Sequence, residues 1–116
     1  MHVGPFVGYL ATGYDDVNGR FSLRVGGMRT AQMSSKIPWF LPDRYRNVGS
    51  LIVTGRRIGG GRFTQTFDEA GSTSPPAMRV FPSIIDPPKT GCWHLTFRLG
   101  KLRASVFMLA RPRPSG

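Results

Sequence analysis

The stretch Gly91-Cys-Trp-His-Leu-Thr-Phe-Arg-Leu-Gly-Lys-Leu-Arg-Ala-Ser-Val-Phe-Met108 decides the fold. Trp93, Leu95, Phe97 and Leu99 alternate with His94, Thr96 and Arg98. After Gly100-Lys101, Leu102, Ala104, Val106 and Met108 alternate with Arg103, Ser105 and Phe107. Successive side chains of a strand point to opposite faces, so a period of two separates an apolar face from a polar one. Two such segments joined by a Gly-Lys turn specify a half-buried antiparallel hairpin. Trp93 faces inward and fills space between two sheets, burying on the order of 150–250 Å² alone. Cys92 falls on the opposite face or in a pocket at the rim.

Working outward, Gly49 to Phe67 reads as a second hairpin. Leu51-Ile52-Val53 is strongly β-prone, Gly59-Gly60-Gly61 makes the connection, and Arg62 to Phe67 returns. Phe6 to Gly27 reads as a third. Phe6 to Leu10 forms one arm, Asn18-Gly19 supplies the residue pair preferred in a type I′ turn, and Arg20 to Val25 alternates polar and apolar. Between Met28 and Val48, Thr30 to Ile37 suits a short strand or a helical turn. Pro38 and Pro42 exclude a long helix there, and Trp39, Phe40 and Leu41 are core anchors on an extended segment. Asp43 to Asn47 is an exposed loop, and Asp68 to Ala77 another. Arg79-Val80-Phe81 is a short strand that stops at Pro82, and Ser83-Ile84-Ile85 is a further apolar segment. The total is about seven short strands with turn signals between them and no long helix. That pattern predicts an all-β antiparallel β-sandwich, with a small β-barrel as the alternative. Residues 1–110 form a single domain, and residues 111–116 a disordered basic tail.

The chain has 116 residues, of which 40% are hydrophobic and 11% aromatic, a composition that excludes wholesale disorder. Fifteen Gly and ten Pro favour many turns over long helices. One cysteine excludes an internal disulfide and multi-cysteine metal clusters. No stretch approaches the ~20 apolar residues of a membrane-spanning helix. The N-terminus carries no basic leader and no adequate apolar core of a signal peptide, which fits a cytoplasmic protein or the mature part of an exported one. Sixteen Lys and Arg face six Asp and Glu, a net charge of +10. Such an excess attracts polyanions, although no run of five basic residues occurs.

Three segments, in order, carry a resemblance. They are Gly49-Ser-Leu-Ile-Val-Thr-Gly-Arg-Arg-Ile-Gly-Gly-Gly61, Phe81-Pro-Ser-Ile-Ile85, and Pro88-Lys-Thr-Gly-Cys-Trp-His-Leu-Thr-Phe-Arg-Leu-Gly100. The set resembles a group of uncharacterised bacterial proteins, often exported or lipid-anchored. These carry a G-L-x-I-x-G-R-R strand followed by a P-x-x-G-C-W-x-(L/V)-T-x-R-x-G hairpin. The resemblance implies an immunoglobulin-like sandwich with a buried Trp and a place in the cell envelope. It carries no activity and no functional residue.

Several constellations bear on chemistry. Cys92 and His94 project from one side of a strand, yet side chains at i and i+2 run parallel and do not converge as a nucleophile and its base must. Ser83 with His94 and Asp86 supplies the residue types of a hydrolytic triad without a supporting spacing or a nucleophile elbow. Asp15, Asp16 and Asn18 are candidate calcium ligands, but Val25 stands where a calcium loop needs its closing Glu. Asp68-Glu69 reads as a solvated strand end rather than a pair facing across a cleft. Gly59-Gly60-Gly61 lacks the Lys-Ser/Thr of a phosphate loop. Arg56, Arg57 and Arg62 flank that glycine tip beside Phe63, where a basic loop with a stacking ring would grip a phosphate backbone.

These features sustain three readings. The first is a non-catalytic structural or interaction module without a cofactor, recognising an unknown partner and pairing with itself through an exposed strand edge. The second is a domain that binds nucleic acid or another polyanion, favoured if Arg56, Arg57, Arg62, Arg98 and Arg103 share one face. The third is a small hydrolase using Ser83 or Cys92 with His94, which requires either nucleophile within ~3.2 Å of the imidazole.

Overall fold

The structure, a computed structural model, describes residues 1–9, 21–28, 34–70 and 78–113. Nine strands occur among them: β1 (His2–Val3), β2 (Phe6–Gly8), β3 (Leu23–Arg24), β4 (Ile37–Pro42), β5 (Leu51–Arg57), β6 (Arg62–Phe67), β7 (Met78–Ser83), β8 (Gly91–Leu99) and β9 (Leu102–Arg111). They form two sheets, a four-stranded one ordered β1-β2-β4-β7 and a five-stranded one ordered β3-β9-β8-β5-β6. The fold is an all-β sandwich. No helix among the described residues is long and apolar enough to cross a membrane.

The hairpin that decides the fold forms as its alternation requires. β8 and β9 pair from Gly91↔Ala110 to Leu99↔Leu102. Trp93, Leu95, Phe97 and Leu99 are fully buried, while Arg98, Arg103, Ser105 and Phe107 are exposed. β8 also pairs with β5, which pairs with β6 to give the second predicted hairpin. The chain leaves the first sheet after β4, returns at β7 and leaves again for β8. Each crossing carries it over the core.

The core is aromatic. Trp39 of β4 meets Phe97 of β8 edge-on, with ring centroids 4.7 Å apart and planes at 87°. Phe6 approaches Phe97 from the same sheet as Trp39 at 5.7 Å. At one end of the sandwich Phe63 packs edge-on against Trp93 at 5.1 Å. The Trp93 indole N–H donates to the Lys89 carbonyl at 3.0 Å, so that ring is buried with its polar atom satisfied.

Both sheets make room for a large ring by placing glycine directly across from it. Gly8 pairs with Trp39, and a Cβ there would stand 2.5 Å from the indole Cζ3. Gly55 pairs with Phe63, whose ring a Cβ would likewise strike. Each ring therefore lies over its partner's backbone.

The N-terminal third differs from the sequence expectation. Phe6–Gly8 does not pair with the described residues 21–25. It folds back on His2–Val3 through Gly4-Pro5, where Gly4 has the positive φ of 55° that suits the first central position of a tight II′ turn. Leu23–Arg24 lies in the other sheet, parallel to Ala110–Arg111. The Asn18-Gly19 pair falls outside the described residues.

β7 runs through Pro82 rather than stopping before it. Pro38 faces Pro82, and the Pro38 carbonyl accepts from Tyr9 N–H on the β2 side. The polar groups of this pair therefore point away from the β4–β7 ladder, and Pro82 lies on an edge strand where a missing N–H is tolerated. At the C-terminus β9 includes Arg111, and the Pro112 carbonyl accepts from Arg24 Nη1 at 3.2 Å. Residues 111–113 of the expected tail are thus placed against β3, and residues 114–116 lie outside the described residues.

Gly8→Ala and Gly55→Ala are each expected to cost about 1–3 kcal/mol through overpacking. Urea unfolding should show lowered midpoints with an unchanged denaturant slope.

Candidate functional site

Strict alternation in the five-stranded sheet sends every second residue to the surface, and the register assembles those residues into rows. One row runs Arg62–Arg56–His94–Phe107 across β6, β5, β8 and β9. The next runs Thr64–Thr54–Thr96–Ser105, and the third Thr66–Ile52–Arg98–Arg103. Rows on one face are two residues apart, so the two arginine-bearing rows lie ~13 Å apart along the strands with a row of hydroxyls between them. Thr54 Oγ1 and Thr64 Oγ1 are 3.5 Å apart within that middle row.

Two shallow depressions mark the face. One, of about 230 Å³, is lined by Thr54, Arg56, Thr96, Arg98 and Arg103. The other, of about 300 Å³, is lined by His94, Thr96, Arg103, Ala104 and Ser105. Thr96 and Arg103 line both, so the depressions adjoin.

The electrostatics of this face are one-sided. Arg56 stands directly opposite Arg62, and Arg98 directly opposite Arg103. Like charges opposite one another destabilise a sheet. All four are exposed, and none has a carboxylate partner among the described residues. Three of the described carboxylates are engaged elsewhere. Asp68 accepts from Ser50 Oγ at 2.7 Å, Glu69 forms a bidentate pair with Arg79, and Asp86 accepts from Gly26 N–H at 2.7 Å.

At one end of the face sits an aromatic pair. The His94 and Phe107 rings are 4.6 Å apart and inclined at 31°. Phe107 is 51% exposed, and Leu109 beyond it 46%.

The predicted loop at the glycine tip divides between the two faces. Arg56 and Arg62 point outward. Arg57 and Phe63 point inward: Phe63 covers Gly55 and Trp93, and Arg57 ties the tip to the β8 entrance. Its Nε donates to the Thr90 carbonyl at 2.7 Å and its Nη1 to the Gly60 carbonyl at 3.0 Å. The ring exposed on the outer face is therefore Phe107 rather than Phe63. Strand parity alone separates Arg56 from Arg57. Bringing Thr54, Thr96, Ser105 and Phe107 beside the arginines requires the register of four strands.

The hydrolytic candidates do not assemble. Ser83 is buried in the four-stranded sheet, where its Oγ donates to the Ile37 carbonyl at 3.1 Å. His94 projects from the outer face of the other sheet. Asp86 braces a corner, its backbone N–H donating to Gln65 Oε1 at 2.8 Å while its carboxylate holds Gly26. Cys92 is a free, half-buried thiol on the outer side of β8. Asp15, Asp16 and Asn18 lie outside the described residues. Among the described residues no three His, Cys, Asp or Glu side chains gather to hold a metal ion.

Comparison with known proteins finds no matching family model, no matching curated protein and no matching solved structure.

Arg57→Ala is expected to cost about 1 kcal/mol of stability through the two lost hydrogen bonds. Ser83→Ala should cost a similar amount. Thermal unfolding checks both.

Proposed function

We propose that this protein is a non-catalytic β-sandwich module that binds an anionic ligand through the outer face of its five-stranded sheet. The observation that carries the reading is the unneutralised pairing of Arg56 with Arg62 and of Arg98 with Arg103 on one surface. Four positive charges held in opposed pairs cost stability, and an anion bridging each pair reverses the sign of that interaction. The intervening threonine and serine hydroxyls suit the same ligand, because hydroxyls donate to phosphate or sulfate oxygens without adding charge. Of the five arginines whose clustering would favour such a role, four share the face and Arg57 does not.

The same reading takes the sandwich to be immunoglobulin-like. Its support is the connectivity: β4 and β7 pair in one sheet while β5, β8 and β9 build the other, with β6 added at its edge. A binding surface on a sheet face, with loops left free, is compatible with the cell-envelope location implied by the Gly-Cys-Trp hairpin.

A salt titration against heparin and labelled oligonucleotides from ~50 to ~200 mM tests the function. Binding should weaken linearly on a log–log plot. Arg98→Ser with Arg103→Ser should reduce the slope by about 1–2. The same double variant should be more stable than the wild type by about 0.2–1 kcal/mol, because the opposed charges are gone. Unchanged binding in the variant would assign the arginines to solubility alone.

A further inference from the structure

Resting on that reading, we infer that the anionic ligand is a single-stranded nucleic acid, with Phe107 as the platform on which a base stacks. An anion-binding face for a sulfated polysaccharide needs cations and hydroxyls only. This face adds an aromatic ring at an outward strand position. Phe107 is half exposed, directly continues the row Arg62–Arg56–His94, and packs against the His94 ring at 4.6 Å. A side chain placed for the core would follow the inward set of Val106 and Met108. Phe107 instead belongs to the outward set of Arg103 and Ser105.

The geometry suits an unpaired strand. Backbone phosphates would meet the arginine pairs at the two outer rows, sugars and phosphates the hydroxyl row, and one base the Phe107–His94 end. Base–aromatic stacking combined with a basic track is how proteins hold single strands without reading sequence. A duplex keeps its bases stacked on one another and offers no free π-face to a flat sheet. A second copy of this chain is disfavoured on charge, since face-to-face association sets Arg56, Arg62, Arg98 and Arg103 against their own equivalents.

The test is fluorescence anisotropy with three labelled probes of matched charge: a ~12-nucleotide oligo(dT), an abasic oligomer of the same length, and a heparin fragment. Oligo(dT) should bind more tightly than the other two. Phe107→Ala and Phe107→Leu should weaken oligo(dT) binding by roughly five- to a hundredfold while leaving the abasic oligomer and heparin unchanged. Phe107→Trp should retain the affinity. The exposed position of Phe107 leaves the core untouched in each variant, and circular dichroism verifies that the fold is kept. If heparin and the abasic oligomer bind as tightly as oligo(dT) and Phe107→Ala changes none of them, the nucleic-acid inference fails and the anionic-face reading stands. If none of the probes binds at ~50 mM salt, where such contacts are strong, both fail. If Phe107→Ala instead converts a dimer to a monomer in sedimentation without altering oligo(dT) affinity, the ring belongs to a self-association surface and the inference is overturned.

Discussion

The T-shaped contact of Trp39 with Phe97, with centroids 4.7 Å apart, ties the two sheets together through the core. Everything else in the sandwich accommodates that contact. Gly8 leaves the indole room to lie over the neighbouring strand, and Phe6 packs on Phe97 from the same sheet as Trp39. Packing outweighs polarity here: the Trp39 indole N–H is buried without a hydrogen-bond partner among the described residues, whereas Trp93, nearer one end, finds the Lys89 carbonyl. Once Phe97 is committed to the core, the pleat dictates the rest of β8. Trp93, Leu95 and Leu99 must follow it inward, and His94, Thr96 and Arg98 must face out. The outer face is thus a consequence of the core, and a one-residue slip would bury its arginines.

The composition of that face is not a consequence of the core. Outward positions tolerate most polar residues, and alternating signs across neighbouring strands would stabilise the sheet. Arginines stand opposite arginines instead, at two separate places, while the carboxylates of Asp68, Glu69 and Asp86 brace loops and strand ends. A surface that gives up stability in this way is characteristic of function, where the best arrangement for a ligand differs from the best arrangement for the fold. Arg57 makes the contrast within one segment. It neighbours Arg56 in sequence, yet its guanidinium is spent on the Thr90 and Gly60 carbonyls.

The hairpins Gly91–Met108 and Gly49–Phe67 were legible because alternation, turn residues and strand pairing are all local there. The same parity rule, applied to β5 and β6, distinguishes Arg56 and Arg62 from Arg57 and Phe63 without a structure. The N-terminal strands were not legible. β2 pairs with β4 and β3 with β9, and such long-range ladders of two or three residues leave no periodicity of their own. Local patterns in Phe6–Leu10 and Arg20–Val25 mimic a hairpin that the sandwich does not form. The Phe107–His94 end of the site was hidden for a further reason. An aromatic residue in an alternating strand reads as an irregularity until the register sets it beside His94, in the row of Arg56.

Amide chemical shifts of the isotopically labelled protein, followed by NMR as oligo(dT) is added, test the central claim most directly. The account predicts perturbations confined to the five-stranded sheet, centred on Thr54, Arg56, His94, Thr96, Arg98, Arg103, Ser105 and Phe107, with β4 and β7 unmoved. Perturbations centred on the four-stranded sheet, or spread evenly over every exposed arginine, would contradict it.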